Sequence, residues 1–522
     1  MARWALLLLP VGLSPAAMAQ DPRYVLLTIL HTNDIHGRVL SGTNLDDESV
    51  GGLARAASVV KQVREALPNV LVFDSGDSAH GTVEEYISAG RSIVDAINSV
   101  GYDAVCPGNH EFGWGREAAR DILAGLKMPV VCANLLDAAT GEPWAGVKPW
   151  VILPVNGLRV AVFGLITRQA YDIEWPSFLE GVRIEDPQAV AARLVPELRR
   201  QADLVILLSH LGLKPDQQLA AAVPGIDIIL GGHSHDNVNT RMFVGSTLIA
   251  QTGAHMDRIG RIDLILKRIE SSEGPRYEIA VINGKGGRWW GRHTRAPLGA
   301  DFPPSVSVPL DGSIPLNQET LAVYAPYREK ARRILDDEVA QVDTEIGDDG
   351  TTGDTPLTRL LADQIRAATG VDVALVDGKV RGRLPVGRLT VRQLWGIIGG
   401  YTGQHIVKVR VTGEAVRQFL EQWAGSPQDL AVGVSGIRAE YKPSGPTGSR
   451  IQRVLVNDDP LDPAKEYMVA GLAYVIRRFS ALMAGQILDN NAGWSRDLVT
   501  KALRAVAVLK PDSVPRLLAV SD

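Results

Sequence analysis

The sequence predicts an α/β fold on two observations. Strand and helix signals alternate from residue 24 to about residue 266, and each apolar run of strand length turns polar at a glycine or small residue. Strands are expected at 26–30, 70–73, 103–106, 204–208 and 226–230, the third being the shortest. Amphipathic spacing fills two of the intervals, 53–67 leading into the strand at 70 and 189–202 into the strand at 204. That succession is the signature of an α/β sandwich.

The segments after these strands are chemically alike. Asp34-Ile35-His36, Asp74-Ser75-Gly76-Asp77, Gly108-Asn109-His110-Glu111, Ser209-His210 and Gly232-His233-Ser234-His235 put carboxylate, imidazole and amide groups directly after the apolar runs. In open α/β folds, sites collect at the carboxyl ends of strands. A lone Asp or His there is more often a helix cap or a satisfied polar residue; recurrence after every strand argues for a metal site. Two divalent cations about 3.5–4 Å apart need a bridging carboxylate, imidazole and hard-oxygen donors, and open positions for water and a phosphoryl oxygen. Asp77 is the expected bridge. All of the ten histidines except His293 and His405 fall between His31 and His255, concentrating metal-binding capacity in the first half.

Composition bounds the rest. A chain of 522 residues is too long for one core and divides into two or three domains. With 54 Lys plus Arg against 59 Asp plus Glu, nothing global suggests nucleic-acid wrapping or a polybasic membrane surface, so attraction for anions has to be local. Only Cys106 and Cys132 are present, which excludes a disulfide scaffold. They read as two buried small hydrophobes, with a bridge between them or thiolate metal ligation as alternatives. Arg3, the apolar stretch 5–13 and Ala17-Met18-Ala19 read as an export signal cleaved after Ala19, giving a periplasmic or secreted protein. That stretch falls short of the roughly 20 residues a bilayer span needs, and no later segment has such a run.

The order Asp-x-His, Gly-Asp, Gly-Asn-His-Glu, His, Gly-His-x-His resembles the calcineurin-like metallophosphoesterases. More narrowly, His31-Thr32-Asn33-Asp34-Ile35-His36-Gly37 and Gly108-Asn109-His110-Glu111-Phe112 resemble the 5'-nucleotidase family, which includes nucleotidases, UDP-sugar hydrolases and 2',3'-cyclic nucleotide phosphodiesterases. The resemblance covers about residues 25–265. It implies a four-layer α/β/β/α sandwich and two divalent metal ions, one held by Asp34, His36, Asp77 and His235, the other by Asp77, Asn109, His210 and His233. The ligand types leave zinc, manganese, iron and cobalt open. His110 matches the family's catalytic histidine, which stabilises charge or protonates the leaving oxygen. Gln251 is expected behind the ligands. Relatives carry an aspartate three residues after that histidine, where this chain has Gly113. Another carboxylate or water replaces it, or the substrate's leaving group needs less protonation. The second is expected, with a preference for cyclic or activated esters that Gly113→Asp shifts toward AMP.

The implied domains are a signal peptide at 1–19, the metallophosphoesterase domain at 20–270, a linker and connecting helix at 271–345, and a smaller α/β substrate domain at 346–522. Residues 271–318 turn to Gly, Pro, Arg and Trp, and 319–342 reads as one long charged helix. In the last domain, Val380-Arg381 stands where the family has Ile-Arg in Asn-x-Gly-Gly-Ile-Arg, but Val376 replaces the asparagine and Lys379 the second glycine. Arg381 is the expected phosphate-binding residue. Tyr401, beside Thr402 and Gln404, and Tyr474 are candidate stacking surfaces for a base. The family's Gly-Gly-Asp-Gly loop is missing from 475–482. Lys379, Arg381, Arg383, Arg388, Arg392, Lys408 and Arg410 against Asp377 and Glu414 make either an anion-binding surface or a solvated basic face.

These readings predict an exported dinuclear-metal phosphoesterase acting on nucleotides. Hydrolysis of 5'-monoesters comes first, then 2',3'-cyclic phosphodiesters and UDP-sugars. The alternatives are a thiosulfohydrolase-like sulfur ester hydrolase and a non-catalytic nucleotide-binding surface protein. The complete ligand set argues against the last, since drift spoils ligands first. The expected partner is a small nucleotide or phosphate ester, with no nucleic-acid duplex, membrane span or obligate protein partner.

Overall fold

The computed structural model describes residues 23–44, 47–270, 276–282, 285–286, 307–348, 353–398 and 405–520. They form two compact units that divide between Arg328 and Glu329. The expected signal segment, most of 271–306, and Tyr401, Thr402 and Gln404 lie outside the described residues.

The first unit is built on two sheets. In one, β1 (Tyr24–Thr32), β2 (Val70–Asp74) and β3 (Ala104–Val105) run parallel, and β1 pairs antiparallel on its other side with Arg258–Ile269. In the other, β4 (Trp150–Val155) lies antiparallel to β5 (Leu158–Ile166), and β6 (Leu204–His210), β7 (Ile228–Gly231) and β8 (Thr247–Ala250) continue from β5 in parallel. Alternate side chains of β5 and β6 enter different cores. Val160, Val162, Ile206 and Leu208 join Leu27 and Ile29 of β1, whereas Ala161, Phe163, Val205 and Leu207 join Val190, Leu194 and Leu198 of the helix Pro187–Gln201. The period of two thus sends one face toward the first sheet and the other toward a helical layer.

Helices cover the outer faces. α1 (Leu53–Ala66), α2 (Val83–Ser88) and α3 (Arg91–Val100) follow the first sheet's strands, and α1 and α3 bury Leu53, Ala56, Val60, Ile93, Val94 and Ile97 in the first core. α4 (Pro187–Gln201) and α5 (Leu213–Ala222) cover the second sheet. Each such aliphatic side chain contributes about 1.5–3 kcal/mol on burial. Asp186 caps α4 by accepting from the Ala189 N–H at 2.8 Å, with Pro187 in the first turn, where its missing N–H costs nothing. The layers are α/β/β/α, as expected. Pairings of Thr32 with Asp74, Ile166 with His210 and Ser209 with Gly231 keep the carboxyl ends of the strands level within each sheet.

The second unit is mixed α/β. Its largest sheet orders Val432–Ser435, Val373–Asp377, Glu466–Leu472, Ile406–Thr412 and Gln486–Asp489. The helix expected over 319–342 is shorter: α6 runs Gln318–Leu335, and Glu338–Val342 is a strand between Gly387–Thr390 and Val508–Leu509. Asp336 and Asp337 close the last helical turn, and beyond them Val339, Ala340 and Val342 are buried while Glu338 and Gln341 face out. Pairing on both sides holds this stretch extended, with a register shift between Glu338 and Ala340 that accounts for the two adjacent buried residues. α7 (Pro356–Thr369) is capped by the Thr355 and Thr358 side chains. Among the described residues no helix is long and apolar enough to cross a membrane.

Candidate metal centre

The loops that leave β1, β2, β7 and β8 are sharply bent. Asp34, His36, Asp77, His80, His233, His235 and His255 have φ between 48° and 75°. Non-glycine residues avoid this left-handed region at a cost of roughly 1–3 kcal/mol each. Hydrogen bonds between loops hold it. The N–H groups of Asp34, His36 and His255 donate to the carbonyls of Gly76 (2.9 Å), Asp77 (3.0 Å) and Asp34 (2.7 Å). The Asp34 carboxylate accepts from the His233 N–H at 3.0 Å and from Asn33 Nδ2 at 2.7 Å.

Every expected first-domain donor reaches this place. His210 Nε2 lies 3.1 Å from Asp77 Oδ2, while its Nδ1 sits 2.7 Å from the Ser75 carbonyl, which fixes the proton on Nδ1 and turns the Nε2 lone pair toward the site. His36 Nε2 and His235 Nε2 are 3.2 Å apart. Two nitrogens bound at about 2.0–2.1 Å to one tetrahedral cation stand roughly that far apart. His235 Nε2 is 3.4 Å from Asp34 Oδ1. His233 Nε2 faces Gln169 Oε1 at 2.8 Å, leaving Nδ1 as the free donor. Asn109 Oδ1 is buried without a hydrogen-bond partner, a cost that a cation would relieve. Asp77 groups with His210 and His233 on one side and with His36 and His110 on the other.

Electrostatics agree with a cation site. Burial, then repulsion from His110, holds His36 well below its usual value, and burial brings His233 to about 4, so both rings are neutral, the form that binds metal. Burial alone would raise Asp77, but the imidazoles of His210 and His110 outweigh it and hold the carboxyl well below the usual range. Burial pulls His210 down, yet Asp77 overrides it and lifts the ring to about 10. A hydrogen bond to Asp34 raises His235. The carboxylates thus recruit protons where divalent ions would otherwise supply positive charge, and the donor set fits such ions.

Several residues gain their roles only from the structure. Glu111 accepts from the N–H groups of Gly108 (2.6 Å), Ser78 (2.9 Å), Ala79 (3.1 Å) and Asp77 (3.2 Å), tying the β2 loop to the β3 loop. Glu85 does the same for His80, Gly81 and Thr82 at 2.7–3.1 Å, and burial lifts its carboxyl to about 8. The spacing Thr82-Val83-Glu84-Glu85 carries the capping-box signal that would have found it. His255 lies with His36 and His235. Gln251 is buried against Ser234 Oγ at 3.3 Å. Cys106 and Cys132 are buried free thiols and belong to none of the donor clusters.

Position 113, where relatives carry the aspartate, borders a residue that sequence spacing does not single out. His80 Nδ1 lies 3.1 Å from His110 Nδ1, and a Cβ at position 113 would come within 3.0 Å of the His80 ring. Among the described residues, the side chain at the back of His110 is thus an imidazole and not a carboxylate.

In the second unit the arginines of the basic window have acidic or carbonyl partners. Arg381 Nη1 donates to the Gly378 and Val380 carbonyls at 3.0 Å, and its Nε lies 3.6 Å from Asp348. Arg383, Arg388, Arg392 and Arg410 stand 2.5, 3.2, 3.1 and 3.8 Å from Glu345, Glu338, Asp336 and Glu466. Acids outside the 376–414 window answer its basic excess, so these arginines form no bare positive surface. The Tyr474 hydroxyl donates to Asp377, and Arg478 lies 5.1 Å over its ring.

Residues 27–237 match the model of the calcineurin-like phosphoesterases, and residues 338–482 match that of the 5'-nucleotidase C-terminal domain. The chain belongs to the 5'-nucleotidase family. Its metallophosphoesterase half is of a dinuclear, metal-dependent kind. The 5'-nucleotidase of Mus musculus is 34% identical over 260 residues, which cover 47% of this chain and 42% of that protein. This family member thus spans less than half the length of that curated relative. The crystal structure of a 5'-nucleotidase precursor from Thermus thermophilus shares the fold with a TM-score of 0.64 at 22% identity, covering 95% of this chain and 100% of that one. The NAD nucleotidase of Haemophilus influenzae gives 0.55 at 20% identity, covering 96% and 100%.

Proposed function

We propose that this 5'-nucleotidase family member is an exported dinuclear-metal phosphoesterase that hydrolyses nucleotides, 5'-monoesters foremost. The observation that carries the reading is Asp77 shared between two donor groups with His110 beside it. Asp34, His36, Asp77 and His235 would hold one divalent ion, and Asp77, Asn109, His210 and His233 the other. When bound, the pair supplies an acidified water and neutralises phosphoryl oxygens.

The chain's own residues do the rest. The His110 N–H donates to Asp77 Oδ1 at 2.8 Å, fixing the backbone from which the ring projects. Its Nε2 lies 4.0 Å from Asp77 Oδ2 and its side chain is 29% exposed, so it faces both the donor groups and incoming substrate. From there it steadies the phosphoryl oxygens or gives a proton to the leaving oxygen. His80 at its back removes the argument for a leaving group that needs no proton, which returns preference to 5'-monoesters. Arg381 is assigned to the phosphate, with Tyr401 or Tyr474 stacking on the base. The proposed domain limits are those read from sequence, with the signal at 1–19 removed.

A substrate panel on metal-reconstituted protein tests the reading: AMP, other 5'-nucleotides, 2',3'-cyclic AMP, UDP-glucose and a thiosulfate-type ester. A 5'-nucleotide is expected to give the highest kcat/KM. Dominance of the sulfur ester reassigns the substrate, and two bound ions with no hydrolysis makes the protein a binder.

A further inference from the structure

We propose that His80 is a positioning residue for His110, and that Gly113 is glycine because the His80 ring occupies the space above it. The two Nδ1 atoms are 3.1 Å apart, the rings are stacked at 27° with centroids 5.2 Å apart, and one nitrogen must donate to the other. With Nδ1 of His110 engaged behind, its Nε2 is left on the side of Asp77, 4.0 Å from Oδ2. The contact therefore sets both the orientation of the ring and which nitrogen faces the reacting centre.

His80 is itself held from three directions. Its N–H donates to Glu85 Oε1 at 3.1 Å, which stabilises a backbone at φ 73°. The Trp114 ring meets it edge-on, at 85° and 5.1 Å. Position 113 is the third. Gly113 has φ −59°, open to any residue, so its identity is not a backbone requirement. A Cβ there would stand 3.0 Å from His80 Cγ and Nδ1 and 3.1 Å from the His110 carbonyl. A side chain at 113 and the observed His80 ring compete for one place.

The kinetic arm of the test rests on the phosphoester hydrolysis proposed above, so it compares two monoesters. AMP leaves as an alkoxide that needs a proton; p-nitrophenyl phosphate leaves as a stable phenolate. His80→Leu is expected to lower kcat on AMP by about 10- to 100-fold, as lost supporting contacts do, with KM and two-ion content unchanged and p-nitrophenyl phosphate little affected. His80→Asn, whose Oδ1 falls close to the Nδ1 position, restores most of the AMP rate. His80→Ala with Gly113→Asp recovers AMP hydrolysis relative to His80→Ala, whereas Gly113→Asp alone lowers it. An unchanged ratio of AMP to p-nitrophenyl phosphate in His80→Leu, or equal behaviour of the Leu and Asn variants, overturns the proposal. Nitrogen-15 spectra of histidine-labelled protein decide it separately: the His110 Nδ1 resonance must move in His80→Leu, and no movement refutes the contact. Wild type inactive on both esters sinks the hydrolase reading but leaves the spectral test of the contact standing.

Discussion

At the scale of single residues, the donor set was open to sequence reading because its chemistry is local. An Asp or His directly after an apolar run announces itself. Asp77 is the member whose loss should be felt most widely, since it stands in both donor groups. Asp77→Ala is expected to lose both ions and His235→Ala mainly one, by elemental analysis of dialysed protein; two ions retained by Asp77→Ala would remove the bridge. His80 was not legible. Its significance depends on a ring 30 positions away and on the absence of a side chain at Gly113, and no spacing rule encodes either.

At the scale of elements, the strands of the first unit could be placed because their apolar runs are long and close on polar loops. The helix at 319–342 was overrun because Glu338–Val342 does not alternate: with Val339 and Ala340 adjacent and both buried, its pattern looks like a continuation of helical spacing. Packing between elements was hidden as well. Asp216 of α5 is fully buried and accepts from Ser209 at the end of β6, its other oxygen has no partner, and a Cβ on Gly231 would come within 2.6 Å of it. Burial lifts its carboxyl to about 8. Because that lies above the unfolded value, the contribution of protonated Asp216 is complete below about pH 4 and is lost as pH rises through 8, at about 1.4 kcal/mol per pH unit at most. Asp216→Asn removes the titration. Its melting temperature should exceed that of wild type at pH 8 and converge on it toward pH 5; parallel curves would show that Asp216 is ionised in the fold.

At the scale of the whole molecule, the first unit was read far more fully than the second. Metal donors follow strands in order, whereas the surface charge of the second unit sums residues distant in sequence, such as Arg392 with Asp336 and Arg388 with Glu338. A count within one window sees the arginines and misses their acids. Arg381 retains motif support, and its side chain is 56% exposed. Arg381→Ala is expected to raise KM for AMP and for p-nitrophenyl phosphate alike about tenfold, the scale of one charge-assisted contact to the phosphate, while leaving metal content unchanged. An unchanged KM for AMP would make this loop a solvated face.

The left-handed backbone around the metal centre has a mechanical consequence. Seven non-glycine residues in that conformation represent tension of the order of 10 kcal/mol, comparable with the whole net stability of an ordinary domain. Bound ions would act as a clasp across loops that otherwise pull apart, with Glu111 and Glu85 as the stitching left when the clasp is removed. Chelation should therefore loosen the molecule from one end only. Hydrogen exchange is expected to accelerate first at residues 34–37, 77–81 and 233–236, with the interiors of β5 and β6 still protected; uniform acceleration would show that the tension is shared by the whole sandwich.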